Sequence, residues 1–185
     1  GEAGSMSDEL LQSLRGAIRT VPDFPLEGIM FRDITPVLGD PGLMSGITER
    51  FANDLEGLGW RPEAVVGPEA RGFIFGPLLA DTLNIPFIPV RKPGKLPADT
   101  ISAEYNLEYG SNTLEMHTDA LSTGQRVVIV DDLLATGGTV GACVELCATQ
   151  GAEVGGALFV IELTGLGARE SLSPVPVHAL VDFPA

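Results

Sequence analysis

Cysteine, histidine and basic residues are scarce in this chain of 185 residues, which has two cysteines, two histidines, and 11 lysines and arginines against 25 acids. Each scarcity excludes something. Cys143 and Cys147 lie four apart in a helical pattern, where side chains run parallel and close a disulfide poorly, and two cysteines cannot build a zinc site. They read as small core residues of a reducing compartment. His117 and His178 stand alone, so no metal cluster is visible. A net charge of −14 argues against nucleic acid or an anionic membrane as partner. There is no apolar run of about 18 residues and no signal peptide, so a cytoplasmic protein is expected. Any anionic ligand must rely on local basic groups and backbone donors.

What is present suits one α/β domain over residues 6–185, long enough to bury roughly 70% of its unfolded surface. Gly1 to Ser5, ahead of Met6, have the look of an expression-tag remnant. Helical stripes cover residues 8–20 and 42–58, the second carrying Leu43, Ile47, Phe51, Leu55 and Leu58. Ala64 to Val66 reads as a short buried strand, with a helix expected over about 73–83 and a strand at Phe87 to Val90. Leu114 and Met116 suggest another strand; Val154 to Leu163 and Val177 to Val181 suggest the last two. Strands alternating with helices predict a mostly parallel central sheet flanked by helices. Between 21 and 36 lies an irregular stretch with Ile29, Met30 and Phe31 in a row, readable as core filler or as a hood over an apolar ligand. Residues 96–112 lack clear periodicity, and long irregular segments in compact domains are usually functional or mobile.

The chain is organised around Val127-Val128-Ile129-Val130-Asp131-Asp132-Leu133-Leu134-Ala135-Thr136-Gly137-Gly138-Thr139. Four β-branched residues predict a central strand buried on both faces. A glycine-bearing loop and a helical pattern follow, with Gly151 as the expected stop. Strand, glycines, hydroxyl and helix start aim backbone N–H groups at a phosphate. Asp131 and Asp132 would repel that phosphate, yet adjacent carboxylates can accept from the vicinal hydroxyls of a ribose. The bland alternative is a solvated strand end with a plain turn. Walker-loop chemistry is excluded, because the lysine it needs is missing. Two more loops follow strands. Gly67 to Gly72 holds Arg71 and reads as an anion grip or a plain strand-to-helix connection. Arg91, Lys92 and Lys95 form a counter-charge for an anion or a solvated basic turn.

The thirteen-residue run resembles the phosphoribosyl-pyrophosphate (PRPP) signature of type I phosphoribosyltransferases. Four more stretches narrow the likeness: Phe24-Pro25 with Phe31 to Pro36, Gly67 to Phe73, Arg91 to Pro97, and Tyr105-Asn106-Leu107-Glu108-Tyr109-Gly110. Together, from about Asp8 to Phe183, they resemble the adenine-using members of that family. The resemblance implies transfer of the phosphoribosyl group to N9 of adenine, giving AMP and pyrophosphate, by a homodimer using Mg²⁺ held through PRPP and water. It implies Glu108 and Arg71 as catalytic residues. Asp131, Asp132, Ala135, Thr136, Gly137, Gly138 and Thr139 would take the ribose and its 5-phosphate. Glu69, Ala70, Arg71, Lys92 and Lys95 would take pyrophosphate. Ile29, Met30, Phe31, Arg32 and Leu163 would hold adenine under the hood, Arg32 reaching a ring nitrogen or phosphate. A flexible lid with Tyr105 and Tyr109 would close over the site. Relatives often place a cis non-proline peptide at the position of Glu69-Ala70. Two other functions remain open at this point: a phosphoribosyltransferase for a 6-oxopurine or orotate, and a non-catalytic regulator that senses PRPP.

Overall fold

In the computed structural model, which describes residues 2–107 and 110–185 and the side chains from residue 8 onward, five parallel strands form the centre of the molecule. In chain order the elements are α1 (Glu2–Ala17), β1 (Arg19–Val21), β2 (Phe31–Asp33), α2 (Thr35–Leu38), α3 (Pro41–Leu58), β3 (Ala64–Pro68), α4 (Gly72–Leu83) and β4 (Phe87–Val90). They continue with β5 (Thr100–Asn106), β6 (Ser111–His117), β7 (Arg126–Leu134), α5 (Gly138–Thr149), β8 (Glu153–Thr164), α6 (Ala168–Leu172) and β9 (Val177–Pro184). The main sheet has the order β4-β3-β7-β8-β9, all parallel, so β7 is its middle strand. Helix α1 starts at Glu2, ahead of Met6, and ends at Ala17, short of the expected residue 20.

Period-two alternation divides the core between the sheet's faces. Val65, Val128, Val130, Leu158 and Val160 pack with Leu14 of α1, Ile47 and Phe51 of α3, and Phe75 and Leu79 of α4. Val66, Ile129, Ala157 and Phe159 pack with Cys143, Leu146 and Cys147 of α5 and Met116 of β6. Both cysteines are buried free thiols; loss of water pushes Cys143 well above its ordinary range and Cys147 up to about 12. The boundaries of α3 follow from its ends. Asp40 caps the helix by accepting from Leu43 N–H at 3.1 Å, Pro41 occupies the first turn, and Gly59 closes it at φ +72°.

The stretch 96–112 is not the irregular segment its composition suggests. Residues 100–106 and 111–117 form an antiparallel hairpin in unbroken register, Thr100 opposite His117 and Asn106 opposite Ser111. Leu107 N–H donates to Gly110 C=O at 2.9 Å across its tip. Glu108 and Tyr109 lie outside the described residues. The hood is a two-stranded antiparallel ribbon of β1 and β2 with the loop between them. No described helix is long and apolar enough to cross a membrane.

Candidate active site

At the carboxyl end of β7 the chain lines a cavity of ≈ 250 Å³ with Arg71, with Tyr105 to Leu107 of the hairpin, and with the whole run Asp131 to Val140. That is where an open parallel sheet places its ligands. Strand β7 continues through both acids to Leu134 before the chain turns. Gly137, at φ +92°, makes the turn in a backbone conformation that costs a side-chain-bearing residue energy. The first donation inside α5 runs from Gly141 N–H to Gly137 C=O at 2.8 Å. The N–H groups of Gly138, Thr139 and Val140 therefore precede the helical ladder, and with the positive helix end they suit an anion. Gly138 also seats the hairpin: a Cβ there would lie 3.0 Å from Cδ2 of Tyr105. Tyr105 Oη accepts from Asn112 across the hairpin at 3.3 Å.

The two acids differ. Asp132 is buried, 3% exposed, and its Oδ2 accepts from Arg71 Nε at 2.5 Å. Asp131 accepts the Asp132 N–H at 2.8 Å. Loss of water, then the neighbouring Asp132 carboxylate, push the Asp131 pKa well above the usual carboxylate range. Arg71 is half exposed and engages Asp132 through Nε, which leaves its terminal nitrogens for a ligand.

The Glu69-Ala70 peptide is cis, at the position expected from the resemblance. The Glu69 side chain, placed in sequence reasoning among pyrophosphate contacts, instead ties down the next loop. Its Oε1 accepts Lys92 N–H at 2.8 Å and Arg91 Nε at 3.2 Å. The Lys92 N–H, ahead of the partial burial that opposes it and the Arg91 charge that helps, holds Glu69 below its ordinary pKa. Arg91 lies over the Phe73 ring, 5.8 Å from its centroid, and so is spent within the protein rather than offered as counter-charge. Lys92 and Lys95 are exposed and do not line the cavity.

None of Ile29, Met30, Phe31, Arg32 and Leu163 lines that cavity. Ile29 and Met30 are 42% and 50% exposed, and Phe31 meets Phe24 edge-on at 5.1 Å. Ile29 spends its N–H on Leu26 and its C=O on Phe24, both at 3.2 Å. Those two bonds leave the second lone pair of the Ile29 oxygen uncommitted at this turn. Arg32 braces the hood rather than reaching outward. Its Nη1 donates to Thr20 at 2.7 Å, its Nη2 to Pro184 C=O at 3.5 Å, and the guanidinium lies 4.6 Å from the Phe183 centroid. Arg32 Nε is buried and meets no acceptor among the described residues. Leu163, at the end of β8, packs partly buried against the core. Sequence reasoning passed over Asn106, Leu107, Leu133, Leu134 and Val140 as wall residues, although the first two stand in the stretch singled out as a lid.

Among the described residues no group of three or more His, Cys, Asp or Glu could hold a metal ion. A model of the phosphoribosyl transferase domain matches residues 37–172. The chain is 52% identical over 173 residues to an adenine phosphoribosyltransferase of Francisella tularensis subsp. novicida, covering 94% of this chain and 99% of that one. It is similar to the crystal structure of an adenine phosphoribosyltransferase from Thermoanaerobacter pseudethanolicus, with TM-score 0.90 and 50% identity over 94% of this chain and 99% of the other. The Saccharomyces cerevisiae enzyme, crystallised with an imino-altritol bisphosphate and adenine, matches with TM-score 0.90 at 40% identity, over 94% and 99% of the two chains. With the sheet order, the cavity at the end of β7 and these likenesses in hand, the chain belongs to the adenine phosphoribosyltransferase family.

Proposed function

We propose that this chain transfers the 5-phosphoribosyl group of PRPP to N9 of adenine, yielding AMP and pyrophosphate. The observation that carries the reading is the convergence of the α5 start, the Asp131–Asp132 pair and Arg71 on one cavity. In the reaction the N9–C1 bond forms as the C1–O bond to pyrophosphate breaks, and N9 gives up its proton. Displacement at an anomeric carbon passes through an oxocarbenium-like state, so positive charge builds on the ribose while negative charge builds on the leaving group.

The chain's residues divide this work. Ala135 to Thr139 hold the 5-phosphate at the start of α5. Asp131 and Asp132 accept from the ribose hydroxyls and lie on the side where positive charge develops. Arg71, oriented through Nε by Asp132, presents its terminal nitrogens to pyrophosphate beside the cis peptide, and Lys92 and Lys95 add charge from their loop. Glu108 acts on the N7–N9 edge of adenine, and Tyr105 and Tyr109 belong to the lid that closes over it. Met30, Phe31 and Leu163 enclose the base, with Arg32 holding the hood in place. Mg²⁺ brought in by PRPP and water would supply positive charge to offset that of the leaving pyrophosphate. The donors here suit a metal carried by substrate and water, because the carboxylates at the cavity are few and Asp132 is already engaged by Arg71. A cytoplasmic homodimer completes the reading.

The test is AMP formation from adenine and PRPP with Mg²⁺, alongside hypoxanthine and guanine. Turnover with adenine and little with the 6-oxopurines is expected. Comparable turnover of hypoxanthine would overturn the choice of base, and no nucleotide from any purine would overturn the reaction.

A further inference from the structure

We infer that Glu115 is a positioning residue: through it the β5–β6 hairpin holds the Lys92–Lys95 loop and sets its distance from the phosphate loop at Gly138. The inference rests on the roles proposed above for those two loops.

Glu115 stands in the middle of β6, opposite Ser102, and all of its polar atoms are committed. Its backbone exchanges both hydrogen bonds with Arg91, at 3.0 Å and 2.7 Å, which joins β6 to the residue after β4. Its Oε1 accepts Gly94 N–H at 2.9 Å. Its Oε2 accepts Thr100 Oγ1 at 3.1 Å and Ser102 Oγ at 3.4 Å, which aims the carboxylate at the loop. The loop offers little else to hold it. Lys92, Pro93, Gly94 and Lys95 are all exposed, and a Cβ built on Gly94 would touch nothing within 4 Å. Its order therefore depends on two carboxylates that accept alternate N–H groups, Glu69 from Lys92 and Glu115 from Gly94.

The same hairpin reaches the other anion loop through Tyr105, whose ring rests on Gly138. Tyr105 lies three residues beyond Ser102, about 10 Å along the strand. With the lid in the position described, this one hairpin touches the loop assigned to the 5-phosphate and the loop assigned to pyrophosphate. A ligand with a phosphate at each end of a ribose needs those loops at a fixed spacing, and loss of that spacing penalises the two-ended ligand.

The experiment compares Glu115→Ala and Glu115→Gln with the parent. It measures calorimetric Kd for inorganic pyrophosphate and for ribose 5-phosphate, and KM for PRPP and adenine. Glu115→Ala is expected to weaken pyrophosphate binding and raise KM for PRPP by about tenfold, since an ordering hydrogen bond to a charged group is lost. Ribose 5-phosphate affinity and KM for adenine should stay near parental values. Glu115→Gln should recover most of the loss, because its amide oxygen can accept Gly94 N–H and the Thr100 hydroxyl can turn to accept from its amide N–H. Equal weakening of both ligands in Glu115→Ala, no weakening of either, or failure of glutamine to rescue would overturn the inference. If the alanine variant does not fold, Thr100→Val with Ser102→Ala frees the carboxylate and should give a smaller loss confined to pyrophosphate; an unchanged Kd would overturn it. A parent that binds both ligands but makes no AMP refutes the proposed reaction and leaves the spacing inference standing. A parent that binds neither removes the loops' roles and the inference with them.

Discussion

Asp131→Asn is the most informative single perturbation, because stability and binding should move in opposite directions. In the free protein the Asp131 carboxyl is pushed up by loss of water and by the Asp132 carboxylate. Its folded-state pKa therefore lies above the unfolded one. Stability linked to this group is fully present below the unfolded pKa, about 3.9, and is lost as pH rises through the folded value. Asparagine removes that loss while keeping an Oδ1 to accept the Asp132 N–H. Relief of a strained functional site commonly returns about 1 kcal/mol, and in a chain of this size that raises Tm by about 2–4 °C. The gain should be present at pH 7.5 and fade towards pH 4. PRPP affinity should fall, because a charge-assisted hydrogen bond to a ribose hydroxyl is worth about 1.5–3 kcal/mol, or roughly 10- to 150-fold in Kd. Asp132→Asn should behave otherwise. Its carboxylate is buried against Arg71, so the variant loses stability at neutral pH, by about 1 kcal/mol once the half-exposed guanidinium is allowed for. Thermal melts from pH 4 to 8, with PRPP titrations at pH 7.5, decide the matter. A lower Tm for Asp131→Asn at pH 7.5, or a gain that persists undiminished at pH 4, would refute the reasoning.

Three further outcomes follow from the same geometry and family likeness. Gly138→Ala sets a Cβ 3.0 Å from the Tyr105 ring and should raise KM for PRPP several-fold, whereas adding Tyr105→Ala should not compound the defect additively; strictly additive effects in steady-state kinetics would deny the contact a role. Glu108→Gln should lower kcat more than it raises either KM, and equal turnover would remove Glu108 from the catalytic residues. Adenine should exceed hypoxanthine in kcat/KM by about 10⁴ if a buried backbone edge reads the base, and Phe31→Ala should lose adenine affinity while keeping that for PRPP; parity between the bases would show that the hood does not discriminate.

The parts of the fold that repeat over several residues were legible in the sequence. Leu43, Ile47, Phe51 and Leu55 recur at helical spacing and all four are buried along α3. Val127 to Val130 is the middle of the central strand, buried throughout. Leu114 and Met116 mark the hairpin's second strand, but its first stayed hidden although its signal is present. Ile101, Ala103 and Tyr105 alternate with Ser102, Glu104 and Asn106, and that is the alternation of burial in β5. Only Ala103 of these is fully buried, so one small residue had to carry an apolar face that a longer side chain would have advertised. The hood's backbone pairing was hidden for a different reason: the turn that consumes Ile29 N–H depends on Leu26, an exposed residue with no periodic partner.

Side-chain commitments across long separations left no trace in spacing, and they alter the electrostatic reading most. Arg91, Lys92 and Lys95 looked like one cluster of three equivalent cations. The fold takes Arg91 out of it by bringing Glu69 from 22 residues away. The same happens elsewhere in this acid-rich chain. Of its nine arginines, Arg15, Arg19, Arg50, Arg71, Arg91, Arg126 and Arg169 all enter ion pairs with carboxylates. Among the described residues Lys92 and Lys95 form no such pair. An excess of acid thus neutralises arginine wherever the planar fork finds a carboxylate, and between Arg91 and Lys95 the uncommitted charge falls to two lysines with flexible ammonium groups. Arg71 is the exception within the rule. It is paired through one nitrogen and open through two, held by Asp132 at the wall of the cavity, which suits the role at the leaving group proposed above.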